Sequence, residues 1–266
     1  MIDRMRWMAL LIGWAVVAPA ASVVALYDFN NTLNPLSGVG PGTAGALVEV
    51  DPGNVSGFEA GIVNGVNRTV FRFNGSASPA AAQGGLQFVN ANLMNANSYS
   101  IEMYFSLDAI SGWRRIIDTK DRSEDTGFYV LNGGLQLYPS NLGAGTFNAN
   151  TYYHVILTFD GATAVAYLNG SPESTQATSY YSLPVSNVIS LFLDNTAGPA
   201  QNEYSAGRIA WARFYDGALN STEALAAYGA ASRFDPGPTS TPEPSAFALM
   251  MAGALCLAGR RYFKAR

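Results

Sequence analysis

Residues 99–107 read Tyr-Ser-Ile-Glu-Met-Tyr-Phe-Ser-Leu, and residues 153–170 read Tyr-His-Val-Ile-Leu-Thr-Phe-Asp-Gly-Ala-Thr-Ala-Val-Ala-Tyr-Leu-Asn-Gly. In the first stretch Tyr99, Ile101, Met103, Phe105 and Leu107 share one parity, and Ser100, Glu102, Tyr104 and Ser106 the other. Side chains alternate across a strand with period two, so this predicts a half-buried strand with one face in a core and one toward solvent. The second stretch predicts a strand over 153–159, a turn at Asp160-Gly161, a strand over 164–168 and a turn at Asn169-Gly170. Working outward, Phe128–Leu131 and Leu135–Tyr138 flank Asn132-Gly133-Gly134 as another hairpin. Val188–Leu193 and Ile209–Tyr215 read as strands, and Val23–Phe29 as the first. A single short helix is signalled: Asn220 as N-cap with Glu223 at N3, running through Tyr228. Many short strands with turn signals about ten residues apart predict an all-β sandwich or barrel.

The chain has 266 residues, enough for one large all-β domain. Charged residues are only 13%, against about 25% in ordinary soluble domains. With hydrophobics at 48% and aromatics at 12%, disorder is excluded as an overall description. Fifteen Lys+Arg against 19 Asp+Glu disfavours nucleic acid as a partner. One cysteine and one histidine exclude a disulfide framework and Cys/His zinc sites.

Both ends read as processing segments. Arg4 and Arg6 precede an apolar stretch from Trp7 to Val17, followed by Ala18-Pro19-Ala20-Ala21. That is the layout of a secretory signal peptide, assigned to residues 1–21 and removed by signal peptidase near Ala20 or Ala21. Residues 22–235 form the exported domain, and 236–244 a Pro-rich linker ending in Pro242-Glu243-Pro244. Residues 245–259 are apolar and 260–266 hold four cations, beginning with Arg260 and Arg261. About 15 residues make a helix of roughly 22 Å, short of the ~30 Å hydrocarbon core, so flanking Arg and Lys must snorkel. The positive-inside rule leaves the basic end in the cytoplasm. Without its ends the domain keeps nine cations against 17 acids, a net charge near −8.

The tail from Pro242 to Arg261 resembles the PEP-CTERM sorting signal of Gram-negative bacteria: a Pro-Glu-Pro motif, an apolar span and an arginine pair, in that order. The resemblance implies export across the inner membrane and transient anchoring. It also implies processing by an exosortase-type membrane enzyme, and delivery to the cell surface or extracellular matrix. The domain itself resembles the concanavalin A-like/laminin G-like jelly roll. The matching residues are Tyr152-Tyr153-His154-Val155, Asp160-Gly161, Tyr167, Asn169-Gly170, Gly207, Ile209, Arg213, Tyr215, Ala218-Leu219 and Glu223. This implies two antiparallel sheets across roughly residues 24–232.

Some members of that fold are glycoside hydrolases with a Glu-x-Asp-x-x-Glu strand, because nucleophile and acid must stand about 5–5.5 Å apart for retention. No such string occurs here. Asp118, Asp121, Glu124 and Asp125 read as a solvated loop paired with Lys120 and Arg122, and His154 as a framework histidine. The expected function is therefore non-catalytic. Many laminin G-like domains hold calcium through Asp and Asn oxygens, which makes Asp194, Asn195 and Glu203 the candidate ligands. Two acidic positions of the family pattern are absent: Ala210 follows Ile209, and Asn34 opens the early loop. Sugar binding needs aromatic faces beside polar groups. Trp113 beside Arg114-Arg115, Tyr152, Tyr180 and Tyr181 are the candidates. The expectation is an exported adhesion or exopolysaccharide-binding protein. Its alternatives are a structural matrix protein without a ligand and a glycan-active enzyme.

Overall fold

The computed structural model describes residues 21–75, 82–139, 142–184, 186–197 and 202–231. In chain order the strands are β1 (Ser22–Tyr27), β2 (Val48–Val50), β3 (Gly57–Val63), β4 (Val66–Phe73), β5 (Gly85–Val89), β6 (Tyr99–Leu107) and β7 (Trp113–Asp118). They continue as β8 (Gly127–Leu131), β9 (Gly134–Tyr138), β10 (Tyr153–Phe159), β11 (Thr163–Leu168), β12 (Ser171–Ala177), β13 (Val188–Leu191) and β14 (Gly207–Asp216). One helix, α1 (Ser221–Ala231), follows.

Two antiparallel sheets result. The larger runs β12-β11-β10-β6-β14-β4-β3, with β1 also on β14; the smaller runs β2-β5-β13-β7-β8-β9. β14 serves two neighbours along one edge: Gly207–Ile209 pair with β4, and Ala212–Asp216 with β1. The all-β sandwich expected from the sequence is present. β6 and β10 have the expected bounds, while β13 stops at Leu191 because Phe192 turns to a positive φ of 61°.

The inner faces meet in one core. Phe88 of β5 stacks on Phe214 of β14 at 3.9 Å between centroids, and Phe73 of β4 stacks on Phe192 at 3.9 Å. Each contact ties one sheet to the other, so aromatic area is buried between layers rather than along one strand. Tyr99, Ile101, Met103, Phe105 and Leu107 all point into this core, as their parity requires.

The opposite face of β6 departs from expectation. Ser100, Glu102, Tyr104 and Ser106 are buried too. The helix lies across this face of the larger sheet, packing Ala224 with Ile156, Tyr167 and Tyr215, and Ala231 with Val70, Tyr104 and Trp211. A second, thinner core therefore sits outside the first. Helix α1 starts as the sequence indicates: the Asn220 side chain accepts from the Thr222 and Glu223 amides at 2.9 and 3.0 Å, and Glu223 accepts from the Asn220 amide at 2.8 Å. Of the leader assigned to residues 1–21 only Ala21 is described, and it is buried in the outer core with Tyr215 and Leu219; residues 1–20, the linker, the apolar span and the basic end lie outside the described residues. Among the described residues no helix is long and apolar enough to cross a membrane.

Candidate functional site

The outward side of β7, β8 and β9 is where the predicted ligands gather. Register pairs Trp113 with Leu131 and Arg115 with Tyr129. A bulge after Arg115 lets Ile116 and Ile117 both reach the core while Arg115 stays on the outer face. There the guanidinium is wholly buried between the 118–126 loop and the side chains of Asp194 and Glu203. It lies 2.5 Å from Asp118, 3.4 Å from Asp125, 3.5 Å from Asp194 and 3.8 Å from Glu203. It also donates to the carbonyls of Glu124, Asp125 and Thr126.

This corrects one expectation and gives the setting of another. Asp118 is not part of a solvated loop but a fully buried partner of Arg115, and it also accepts from the Lys120 and Arg122 amides at 2.9 Å each. The candidate calcium ligands Asp194, Asn195 and Glu203 do converge, but on an arginine. Asp194 accepts from the Asn195 and Glu203 amides, and Asn195 donates to Asp125 at 3.3 Å. The guanidinium supplies the positive charge that a cation would bring, and among the described residues no His/Cys/Asp/Glu cluster could hold a metal. Burial, then the charges of Asp194 and Asp125, push the Glu203 carboxyl up to about 7 against the pull of Arg115. Burial likewise lifts Asp118, by more than Arg115 draws it down.

Above this cluster is a cleft of about 160 Å³ lined by Trp113, Asp125, Tyr129, Tyr138 and Glu203. Its rings are near-perpendicular: Trp113 to Tyr129 at 5.2 Å and 83°, Trp113 to Tyr138 at 5.3 Å and 89°. Arg115 covers one side of Tyr129, 4.8 Å from the ring centroid. The indole is thus held by two edges and left partly exposed, an apolar wall beside two carboxylates.

The other predicted aromatics are scattered. Tyr152 lines a separate cleft of about 410 Å³ on the larger sheet, with Glu59, Asn150 and Arg208, and stacks on Tyr104 at 5.7 Å. Tyr180 is 45% exposed in the loop after β12 and lines neither of these clefts. Tyr181 is a core residue, 1% exposed, donating to the Gly127 carbonyl at 2.8 Å while its own carbonyl accepts from Tyr99. Tyr129 and Tyr138, read from sequence only as hairpin residues, are the missed members. Their signal was shared outward parity in β8 and β9, but their neighbour β7 could be assigned only from the sheet.

His154 is framework, as read, though fully buried. Its Nε2 lies 2.7 Å from Glu102, which also accepts from Tyr215 at 2.5 Å and Arg213 at 3.2 Å. Burial alone would raise the Glu102 carboxyl; Arg213, His154 and Tyr215 hold it below its ordinary value. The group is sealed under α1, with Tyr228 5.6 Å from the imidazole. A wider cleft, about 730 Å³, lies where β1, the β10–β11 turn and the start of α1 meet. Its acids are engaged: Asp160 accepts from the Ala162 and Thr163 amides, and Asp216 from the Asn95 amide.

The model for the concanavalin A-like lectin/glucanases superfamily matches residues 79–224, more than half of the chain. The chain belongs to that superfamily. This concanavalin A-like chain also carries a PEP-CTERM protein-sorting motif, matched over residues 240–261, which takes in Pro242, Glu243, Pro244, Arg260 and Arg261. No curated protein matches it. Among solved structures it is similar to domain 4 of AbnA, a GH43 extracellular arabinanase from Geobacillus stearothermophilus, in complex with arabinotriose. The TM-score is 0.56 and the identity 16%, over 78% of this chain and 98% of that one. A structure of botulinum neurotoxin type C, whose cell entry is dependent upon interaction with two ganglioside molecules, gives a TM-score of 0.55 at 14% identity. The binding domain of Paraclostridial Mosquitocidal Protein 1 gives 0.54 at 16%. Each covers 79% of the concanavalin A-like chain, which spans only 51% and 52% of theirs. At these identities the likeness is one of fold.

Proposed function

We propose that this is an exported, non-catalytic surface or matrix protein that binds glycan through the Trp113 cleft. Signal peptidase removes the leader, and an exosortase-type enzyme processes the tail at the Gram-negative envelope. The observation that carries the reading is the partly exposed indole of Trp113 set against the carboxylates of Asp125 and Glu203. An indole offers the apolar surface that meets the C–H face of a pyranose, while carboxylates accept from its hydroxyls. The sorting motif and the sugar-associated structural neighbours agree with it.

The test is a binding screen of the purified full chain against immobilised polysaccharides, including the producing organism's own exopolymer. Saturable binding that falls at least tenfold in Trp113→Ala is the expected result. Binding unaffected by that change rejects the cleft, and absence of binding to every polysaccharide leaves a structural matrix protein. The convergence of Asp125 and Glu203 on one cleft also favours a second reading, a glycan hydrolase with Glu203 as proton donor. Release of reducing ends, lost in Glu203→Gln, is the outcome that would establish it.

A further inference from the structure

We infer that the free edge of β3 pairs with the β3 of a second copy of this chain, joining the two larger sheets across a two-fold axis. The inference stands apart from the glycan reading and starts from how the sheet edges are closed. A free strand edge presents unpaired N–H and C=O groups, which proteins blunt with short strands, proline, charge, bulges or a covering loop. Every other edge here carries such a device. β2 has only three residues, and β12 carries Pro172, Glu173 and a register shift in its pairing with β11. The 142–147 stretch covers β9, with the Gly143 and Phe147 amides donating to the Leu135 and Gly133 carbonyls, and the Leu36 amide donates to the Leu26 carbonyl of β1. β3 has none of these. It runs for seven residues without proline, lysine or a bulge, and among the described residues no backbone group bonds to its outer edge.

Register fixes which groups are free. Val63 and Val66 close the hairpin across Asn64-Gly65, so Gly61 and Glu59 also exchange bonds with β4, and the N–H and C=O of Phe58, Ala60 and Ile62 point away from it. The side chains of these same residues turn to the inner face, where Phe58 packs edge-on against the core residue Phe71. All three are nevertheless exposed, Ile62 at 70%. An antiparallel copy centred on Ala60 sets Ala60 against the partner's Ala60 and Phe58 against the partner's Ile62. Each free residue then meets a free residue, and apolar side chains pair across the seam, as an isologous contact requires. Charge agrees: Glu59, the only ionisable side chain of the strand, turns to the other face, binds Arg208 and lies opposite the partner's Gly61. Seven residues span about 24 Å, and a seam of that length stands at the low end of the about 1,200–2,000 Å² of stable complexes. The dimer is therefore weak in dilute solution and favoured where a sorting tail confines copies to one surface. β9 lies beside β11 and β12, at the end of the larger sheet opposite β3, so the Trp113 clefts stay open in the pair.

The experiment is cysteine cross-linking of the full chain, with its single cysteine removed by Cys256→Ser. Directly opposed antiparallel residues that exchange hydrogen bonds have Cα atoms about 5.5 Å apart, within disulfide reach. Ala60→Cys is expected to give a covalent dimer on mild oxidation, and so is Phe58→Cys combined with Ile62→Cys. Phe58→Cys alone should not, because its copies lie about 13 Å apart along the seam. Leu225→Cys, exposed on α1, controls for contact through the tail and should stay monomeric. In sedimentation velocity between about 10 μM and about 1 mM, the chain should pass from monomer toward dimer. Ala60→Lys, which opposes like charges across the axis, should hold it monomeric with an unchanged melting temperature. Failure of Ala60→Cys to cross-link, equal cross-linking of Phe58→Cys or Leu225→Cys, or association that Ala60→Lys leaves intact would overturn the pairing. A chain monomeric throughout, with slowed hydrogen exchange at the Phe58, Ala60 and Ile62 amides, would assign the edge to another segment of the same chain and overturn it as well.

Discussion

Arg115 stands wholly buried between four carboxylates, so its removal has a calculable sign. Replacing one member of a buried charge network leaves the others unpaired in low dielectric, at about 3–5 kcal/mol. Arg115→Met is therefore expected to lower unfolding free energy by about that amount in chemical denaturation, and Asp194→Asn added to it should recover part of the loss. Two of the four predicted binding aromatics separate at this scale as well. Tyr181→Ala opens a core cavity worth about 3–5 kcal/mol, whereas Trp113→Ala, at a partly exposed site, should reduce binding with little change in melting temperature. Sequence alone ranked these residues together because both are aromatics near polar runs. What divides them is which side of a sheet each occupies, a property of pairing partners far away in the chain. Asp118 was hidden differently: Lys120 and Arg122 suggested pairing within the loop, whereas its charge partner Arg115 lies three residues earlier on the same strand, β7, with the bulge between them.

Helix α1 and the Asn169-Gly170 turn show how an element on the outside can be as constrained as one in the core. Asn220→Ala removes the cap that satisfies two amides and should cost about 1 kcal/mol, read as a lower denaturation midpoint with unchanged slope. Gly170 has φ of +80°, and a Cβ there would lie 3.0 Å from the Tyr228 side chain and 3.1 Å from Leu225. Gly170→Ala thus meets backbone strain of about 1–3 kcal/mol and a steric contact that lifts the helix. The strands of regular alternation, β6 and β10, were legible to the residue, as was the cap of α1. Strand β3 was not: Gly57, Ala60 and Gly61 dilute its alternation, and Ile62 is exposed although apolar. Nor was the burial of Glu102 and His154, because period two shows that a strand has two faces and is silent about what covers the second.

For the molecule as a whole, the raised Glu203 carboxyl fixes a pH dependence. Between its ordinary value near 4.5 and about 7, the folded protein holds a proton that the unfolded chain has released. Stability from this group is full below that window and declines as pH rises through it. Thermal melts of the full chain at pH 5 and pH 8 should show the fall, and Glu203→Gln should flatten it. Calcium and chelator should leave the melting temperature unchanged, since a guanidinium already occupies the centre of the oxygen cluster. The position of α1 then has a consequence for display. The chain leaves the described domain at Ala231, which packs against Trp211 on the outer face of the larger sheet, while Trp113 opens from the outer face of the smaller one. Two sheets about 10 Å apart separate the exit of the sorting tail from the cleft. A molecule tethered by that tail would therefore carry its cleft on the side of the domain opposite the point where the tail departs, clear of the tether.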